Sequence, residues 1–249
     1  MNNIVSILLP TRKRFDLMLK SVKSLYDKAT FPENIELLLW FDDDDLESIS
    51  RIKEVEKITT NYQFLIGDRE LGYSSLHKFV NSLCKISTGR YLLLWNDDAL
   101  MMNSSWDEIL TLYDGETVCI QIDNNHYPHI FPIISRDIYE VLGHFSLNAH
   151  NDTWMHDVCK SLGIEILGED IYAIHDRYDI TGNNDDEVFR NGGGLHYDDI
   201  YGHGADYGSK ANTAMEQERD TSKIYYSKAN QKLVKRDIEK IKAYLESKQ

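Results

Sequence analysis

The chain has 249 residues, 42% of them hydrophobic and 11% aromatic, which is enough for one large buried core. Its formal net charge of −14 argues against general attraction to nucleic acid or anionic lipid, since phosphate neutralisation needs clustered Lys and Arg. No apolar stretch approaches the roughly 20 residues that cross a bilayer, and the basic residues of MNNIVSILLPTRKRF follow its apolar run, the wrong order for a secretion signal; a cytoplasmic protein is expected.

Residues 4–9 are an apolar run closed by Pro10 and predict a buried strand. Phe15, Leu19, Val22 and Tyr26 then share one helical face, with Lys20 and Lys23 opposite. Residues 35–41 are apolar apart from Glu36 and run into the acidic burst DDDD at 42–45. Leu46, Ile49, Ile52 and Val55 recur every three residues and predict another helix. A strand at 62–66, a loop around Gly72 and a helix bearing Leu76, Phe79, Val80 and Leu83, ended by Gly89, lead to GRYLLLWNDDAL. There every position from Tyr91 to Trp95 is apolar, and Asn96, Asp97 and Asp98 come directly after. Continuous apolar strands separated by amphipathic helices imply a parallel sheet covered on both faces, and ligands bind such sheets beyond the carboxyl ends of the strands.

Past residue 102 the alternation loosens. Ser105 and Glu108 are spaced as a capping box for a short helix carrying Trp106, Ile109, Leu110 and Tyr113. Residues 118–122 read as a strand, and 130–134 as one interrupted by Pro132 and therefore placed at an edge. Ser135 and Gly143 bracket a helix. Asp152 precedes another over 153–162, and short strands come next over 164–167 and 171–174. Residues 181–222, rich in Asn, Asp, Gly and Tyr, include a further acidic burst, NNDDE at 183–187. The segment is long for a structureless loop, hence functional or mobile. From Ala229 a charged amphipathic helix carries Leu233, Ile238, Ile241 and Leu245. It reads as an arm packed on the main domain or on a second copy, the latter giving a homodimer. The expected organisation is 1–180, in halves 1–102 and 103–180, and then 181–249 as loop and helical arm. Cys84, Cys119 and Cys159 are odd in number, far apart and outside any C-x-x-C pair, so they are read as buried thiols.

Asp42 and Asp43, Asn96 to Asp98, and His175 each follow an apolar strand directly, so strand direction delivers them to one edge. Hard divalent cations accept carboxylate oxygens and complete their shell with substrate phosphates and water, while imidazole suits Mn2+. One or two carboxylates and a His leave room for a diphosphate.

In order and spacing, SILLPTRKR, IELLLWFDDDD, the Gly72 loop with Asn81 eight residues before Gly89, and GRYLLLWNDDAL resemble the nucleotide-sugar-binding half of GT-A glycosyltransferases, the family 2 type in particular. The resemblance covers roughly residues 4–102, and 130–177 more loosely. It implies an α/β GT-A (Rossmann-like) fold: a mostly parallel central sheet flanked by helices, with an irregular C-terminal extension ending in a helix. It implies metal-dependent transfer of a sugar from a nucleotide-diphosphate donor, a UDP-sugar favoured, with Mn2+ or Mg2+, to an unknown acceptor. In that family the strand after the glycine ends in D-x-D; here the three positions are Asn96, Asp97 and Asp98, so the first acid is an amide and the last, usually the metal ligand, is retained.

By the same resemblance, Pro10, Thr11 and Arg12 line the nucleoside pocket and Asp43 accepts a hydrogen bond from the base, as an acceptor-only carboxylate can. The family has an Arg beside Asn81 where this chain has Val80, so the phosphate contact falls to Lys78, Arg12 or Arg14. His175 completes the metal shell. Asp152 is the base on the acceptor side, which implies inversion, and Trp154 stacks on an acceptor ring; Asp157 is the alternative acid. His126 and His129, spaced H-x-x-H, read as acceptor contacts or loop histidines, and His196 and His203 as members of a lid.

Blander readings stand beside these: Asp152 as an ordinary N-cap, the aspartates at 42–45 as caps of the next helix, His175 as a structural histidine. For the whole chain the alternatives are a nucleotidyltransferase, disfavoured because PTRKRF has no glycine, and a non-catalytic carbohydrate- or nucleotide-binding domain, kept open by Asn96. The acidity of the chain disfavours a nucleic-acid acceptor.

Overall fold

Four strands, three of them almost wholly buried, open the chain: β1 (Val5–Thr11), β2 (Ile35–Asp42), β3 (Tyr62–Gly67) and β4 (Tyr91–Leu94), paired in parallel as β3-β2-β1-β4, with β3 the partly exposed edge. The computed structural model describes residues 4–70, 72–126, 129–184, 186, 188 and 221–248; His196 and His203 lie outside them. β1 alternates between two apolar layers, with Val5, Ile7 and Leu9 in one and Leu8 in the other. Helix α1 (Phe15–Lys28) supplies Phe15, Met18, Val22 and Leu25 to the first layer; after it come α2 (Leu46–Arg51) and α3 (Leu76–Ile86), and α3 supplies Val80 and Leu83 to the second. Burial on both faces is why the inner strands read as unbroken apolar runs. The three-residue repeat after Leu46 resolves into α2 and then a 3-10 helix, Ile52–Lys57, for which a period of three is the natural one.

The sheet continues through β5 (Ala99–Met101), β6 (Cys119–Asn124), β7 (Pro132–Ser135) and β8 (Glu165–His175) to give the order β3-β2-β1-β4-β7-β6-β8-β5. β7 runs antiparallel to β4 and to β6, while β8 is parallel to β6 and antiparallel to β5. Four of the seven pairings are parallel. No helix among the described residues is long and apolar enough to cross a membrane.

Several local expectations are corrected. β7 is interior, between β4 and β6; Pro132 is its first residue, a place where a missing N–H is tolerated. Ser105 caps nothing: its φ is 61°, its hydroxyl accepts from Thr30 Oγ1 at 2.9 Å, and the next helical segment is a 3-10 helix, Ile109–Tyr113. Asp107 does the fastening, accepting the backbone N–H groups of Thr30 at 2.8 Å and Phe31 at 2.7 Å. Ser135 stands at the N-cap of α4 (Arg136–Leu142) without a side-chain cap bond, and Gly143 closes that helix at φ 77°. The two short strands expected over 164–174 are one, β8, whose register against β6 shifts between Ile122 and Asp123. Gly89 does not end α3, which stops at Ile86; it lies against the backbone of β1.

Helix α5 (Asn151–Ser161) precedes β8, and the short α6 (Tyr178–Thr181) comes after it. The last helix, α7 (Lys228–Lys248), buries Val234 and Ile241 among Leu142, Trp154 and Val158, with Leu233, Ile238 and Leu245 packed against the same layer. Its apolar stripe is thus covered by this chain.

Burial lowers the pKa of His77, His129 and His150 below the ordinary histidine value, with Lys78 adding to the effect on His77, His156 adding to it on His129, and the negative charge of Asp152 opposing it for the other two. A histidine that resists charging in the fold and charges freely when unfolded gives stability that is present above about pH 6.5 and is lost as pH falls. Asp97, shifted upward by burial, offsets part of this. The urea midpoint is therefore expected to fall between pH 8 and pH 6; an unchanged or higher midpoint at pH 6 would contradict the assignment.

Candidate active site

The carboxyl ends of β1, β2 and β4 and the end of β8 gather the charged side chains. Trp95, directly after β4, is buried and donates its indole N–H to Ser21 Oγ at 2.8 Å; that hydroxyl donates to Asn96 O at 2.9 Å. Helix α1 thereby fixes the backbone where the strand ends. Thr11 at the end of β1 donates to Asp97 Oδ2 at 2.8 Å. The pairing of β5 with β8 sets Ala99 opposite His175, and Asp176 N donates to Asp98 O at 2.7 Å. As a result His175 Nε2 lies 3.1 Å from Asp98 Oδ1 and 3.4 Å from Asn96 Nδ2.

Arg14 joins the two acids. Its Nη1 is 3.2 Å from Asp97 Oδ1 and 3.2 Å from Asp98 Oδ2, and its Nε and Nη2 each donate to Asp186 at 2.8 Å. Burial drives the Asp97 carboxyl upward; the charge of Arg14 opposes the shift, the nearby charge of Asp98 adds to it, and the hydrogen bonds from Thr11 and Arg14 relieve it only in part. Asp98 is equally buried, but the hydrogen bond and charge of His175, with Arg14, outweigh the burial and hold it below the usual carboxylate range. Burial opposes the charge of Arg14 as well, yet Asp97, Asp186 and Asp98 hold it protonated.

The acidic burst at the end of β2 divides its labour. Asp42 accepts from Arg12 Nη1 at 3.2 Å and from the Trp40 indole at 3.2 Å, while Asp44 pairs with the same guanidinium. Asp45 accepts Ser48 N and Lys13 N, so the capping reading is right for this residue. The Asp43 side chain is exposed, with its backbone N–H donated to Gly67 O. Pro10 is half-buried on β1 opposite Trp40.

No protein-family model and no curated protein matches the sequence. Solved structures do. The mannosyltransferase PcManGT from Pyrobaculum calidifontis, in complex with GDP-Man and Mn2+, superposes with a TM-score of 0.57 at 12% identity over 98% of this chain and 75% of that one. S. aureus TarS 1–349 in complex with UDP-GlcNAc gives 0.56 at 12% identity over 94% and 79%. The same protein in complex with UDP gives 0.55 at 13% over 69% of this chain, which spans only 60% of that one. The chain has a GT-A fold.

Within the GT-A fold, β8 runs in the same direction as β4, because β7 is antiparallel to β4 and to β6 while β6 and β8 are parallel. Helix α5 opens with an acidic first turn and ends just before β8 begins. Asp152 lies in that turn; the N-cap position belongs to His150. The carboxylate is half-buried and accepts Thr153 N at 2.7 Å. Around the start of this helix, His150 packs edge-on against Tyr73 and Tyr225, and His129 stacks on His156 at 4.5 Å.

Four residues expected nearby are used elsewhere. Trp154 is 0% exposed, wedged between His144 and Tyr225, and has no face left for an acceptor ring. Asp157 accepts the Tyr225 hydroxyl at 2.6 Å. Asn81 accepts Phe145 N at 2.7 Å and donates to Ser146 O at 2.7 Å, which fastens the loop before α5 rather than a donor. Lys78 pairs with Glu70. His126 and His129 also part company, His126 lying 5.5 Å from the His175 ring and His129 on His156.

Two participants escaped sequence reasoning. Asn125 brackets His175, accepting its N–H at 2.7 Å and donating to its carbonyl at 3.4 Å. Asp186 holds Arg14; the NNDDE burst marked its neighbourhood but no pattern singled it out.

Among the described residues no group of three or more His, Cys, Asp or Glu is arranged to hold a metal. Asp98 and His175 offer two adjacent ligand atoms of suitable chemistry. That fits a cation whose remaining ligands are diphosphate oxygens and water, and it does not fit a closed all-protein cage.

Proposed function

We propose that the chain is a glycosyltransferase that moves a sugar from a nucleotide-diphosphate donor, with Mn2+ or Mg2+, to an acceptor hydroxyl with inversion. The observation that carries the reading is the convergence of Thr11, Asp97, Asp98 and His175 at the strand ends of a fold shared with structures that hold UDP, UDP-GlcNAc, or GDP-Man with Mn2+. Asp98 and His175 are the residues to hold the cation, which when bound stabilises charge on the departing diphosphate. Arg12 and Arg14 supply guanidinium groups suited to phosphate oxygens. The exposed Asp43 carboxylate is an acceptor for a base N–H, which favours a uracil nucleotide. Asp152, on the α5 side, takes the proton of the attacking hydroxyl.

Asn96, an amide in place of an acid, favours the competing reading of a domain that binds a nucleotide sugar without turning it over. The test is a panel of nucleotide sugars with Mn2+, scored for donor hydrolysis and for a donor-specific rise in melting temperature. Both signals are expected with one donor, and Asp98→Ala should abolish the metal-dependent part of donor binding. A thermal shift without hydrolysis or transfer, even with acceptors present, would establish the binding-only domain; no shift with any donor would remove both readings.

A further inference from the structure

Arg14 occupies the place where a cation is wanted. Its side chain is 8% exposed, and one nitrogen, Nη1, reaches both buried acids at 3.2 Å. Asp98 is then fully engaged, with Oδ1 toward His175 Nε2 and Oδ2 toward Arg14. A divalent ion taken up by Asp98 and His175 would stand within a few ångströms of a permanent positive charge in a buried setting, where repulsion is weakly screened. The guanidinium and the metal therefore exclude one another.

We propose that Arg14 is a resident cation that keeps divalent metal off Asp98 and His175 until a nucleoside diphosphate draws its guanidinium away, so that metal binding depends on nucleotide. The rest of the Arg14 environment suits such a movement. Asp186 grips the Nε–Nη2 edge, leaving Nη1 alone to face the acids. A pocket of about 280 Å³ lined by Arg14, Asp186, Lys13, Asp16, Glu47 and Arg51 adjoins the side chain and gives it room. Diphosphate oxygens offer the guanidinium the same planar, charge-assisted acceptors that the carboxylates do, and they release Asp98 for the metal. By linkage, whatever nucleotide does to metal affinity, metal does equally to nucleotide affinity.

The proposal rests on the glycosyltransferase reading only for its choice of nucleotide. Its test is Mn2+ affinity, read from the electron paramagnetic resonance signal of free Mn2+, for wild type, Arg14→Gln, Arg14→Lys and Arg14→Gln/Asp98→Ala, each with and without UDP. Near-ultraviolet circular dichroism confirms the fold of each variant. In wild type UDP should tighten Mn2+ at least tenfold. Arg14→Gln should bind Mn2+ without UDP at least tenfold more tightly than wild type, gain less from UDP, and bind UDP more weakly in metal-free buffer. Arg14→Lys, which keeps the charge but loses the planar fork, should fall between them, and the double variant should lose the gain.

Equal Mn2+ affinity in wild type and Arg14→Gln without UDP would overturn the proposal, as would a gain that survives Asp98→Ala. If UDP binds no variant but Arg14→Gln still gains Mn2+, the resident cation stands and the glycosyltransferase reading falls. If UDP binds and the variant gains nothing, the reverse holds.

Discussion

Asp152→Asn is expected to bind the nucleotide-sugar donor as wild type does and to transfer sugar about 10²- to 10⁴-fold more slowly, the usual contribution of a general base. The carboxylate lies in the first turn of α5 and its one short bond is accepted from Thr153 N at 2.7 Å. An amide oxygen accepts that bond equally well, so the helix start is preserved. What the amide cannot do is take a proton. The donor is proposed to lie at the ends of β1, β2 and β4, held by groups on other loops, so its affinity has no reason to change. Calorimetric titration of donor with Mn2+ and a transfer assay on the same preparation separate the two. Donor affinity lost along with transfer would mean that Asp152 organises the donor pocket; transfer at the wild-type rate would give the base to another group.

That the gathering of Asp97, Asp98 and His175 is legible in the sequence, whereas the setting of Trp154 is not, shows what a linear pattern carries. The parallel half was legible because strands covered on both faces must be apolar at consecutive positions, and because an acid placed directly after such a strand has only one edge to occupy. The shared edge of Asp97, Asp98 and His175 came from that alone. The acceptor-stacking role of Trp154 came from the resemblance, and a motif says nothing of what a helix face meets; here it meets Tyr225 and the layer that α7 covers. A proline predicts an edge strand only when it interrupts the strand; Pro132 is the first residue of β7, so the strand can be interior. Asp186 and Asn125 act through long-range pairs, Asp186 with Arg14 172 residues away and Asn125 with His175 50 away, from segments with no periodicity. The amide of Asn81 fastens a loop that has no signature of its own in the sequence.

Gly89 is where an error of reading has the largest consequence for stability. The helix before it stops at Ile86, and what position 89 requires is space. A Cβ there would lie 2.5 Å from Ser6 N and 2.6 Å from Val5 C, backbone atoms of a central strand that cannot yield without opening the pairing of Val5 with Tyr91. The same spot is the hub of a polar network: Gly89 N donates to Ser6 Oγ at 2.8 Å, and Ser6 Oγ donates to Glu36 Oε2 at 2.5 Å. Thr88 N donates to the same Glu36 oxygen at 2.8 Å. Ser6 is 0% exposed and Glu36 2%, so a displaced Gly89 leaves the buried Ser6 hydroxyl without its donor and disturbs the bond that hydroxyl makes to the carboxylate. Overpacking costs about 1–3 kcal/mol and a buried acceptor losing a partner about 1–3 more. Gly89→Ala is accordingly expected to destabilise by about 2–6 kcal/mol, a fall of roughly 4–24 °C in Tm for a domain of this size. Gly168→Ala is the control, because the Cβ there would meet the Ile120 Cγ2 methyl at 3.0 Å, the end of a side chain that can shift. Urea unfolding of both variants decides the matter: a Gly89→Ala cost within about 0.5 kcal/mol of the Gly168→Ala cost, the usual span of additive error, would show that β1 gives way and that the network around Glu36 does not depend on the missing side chain.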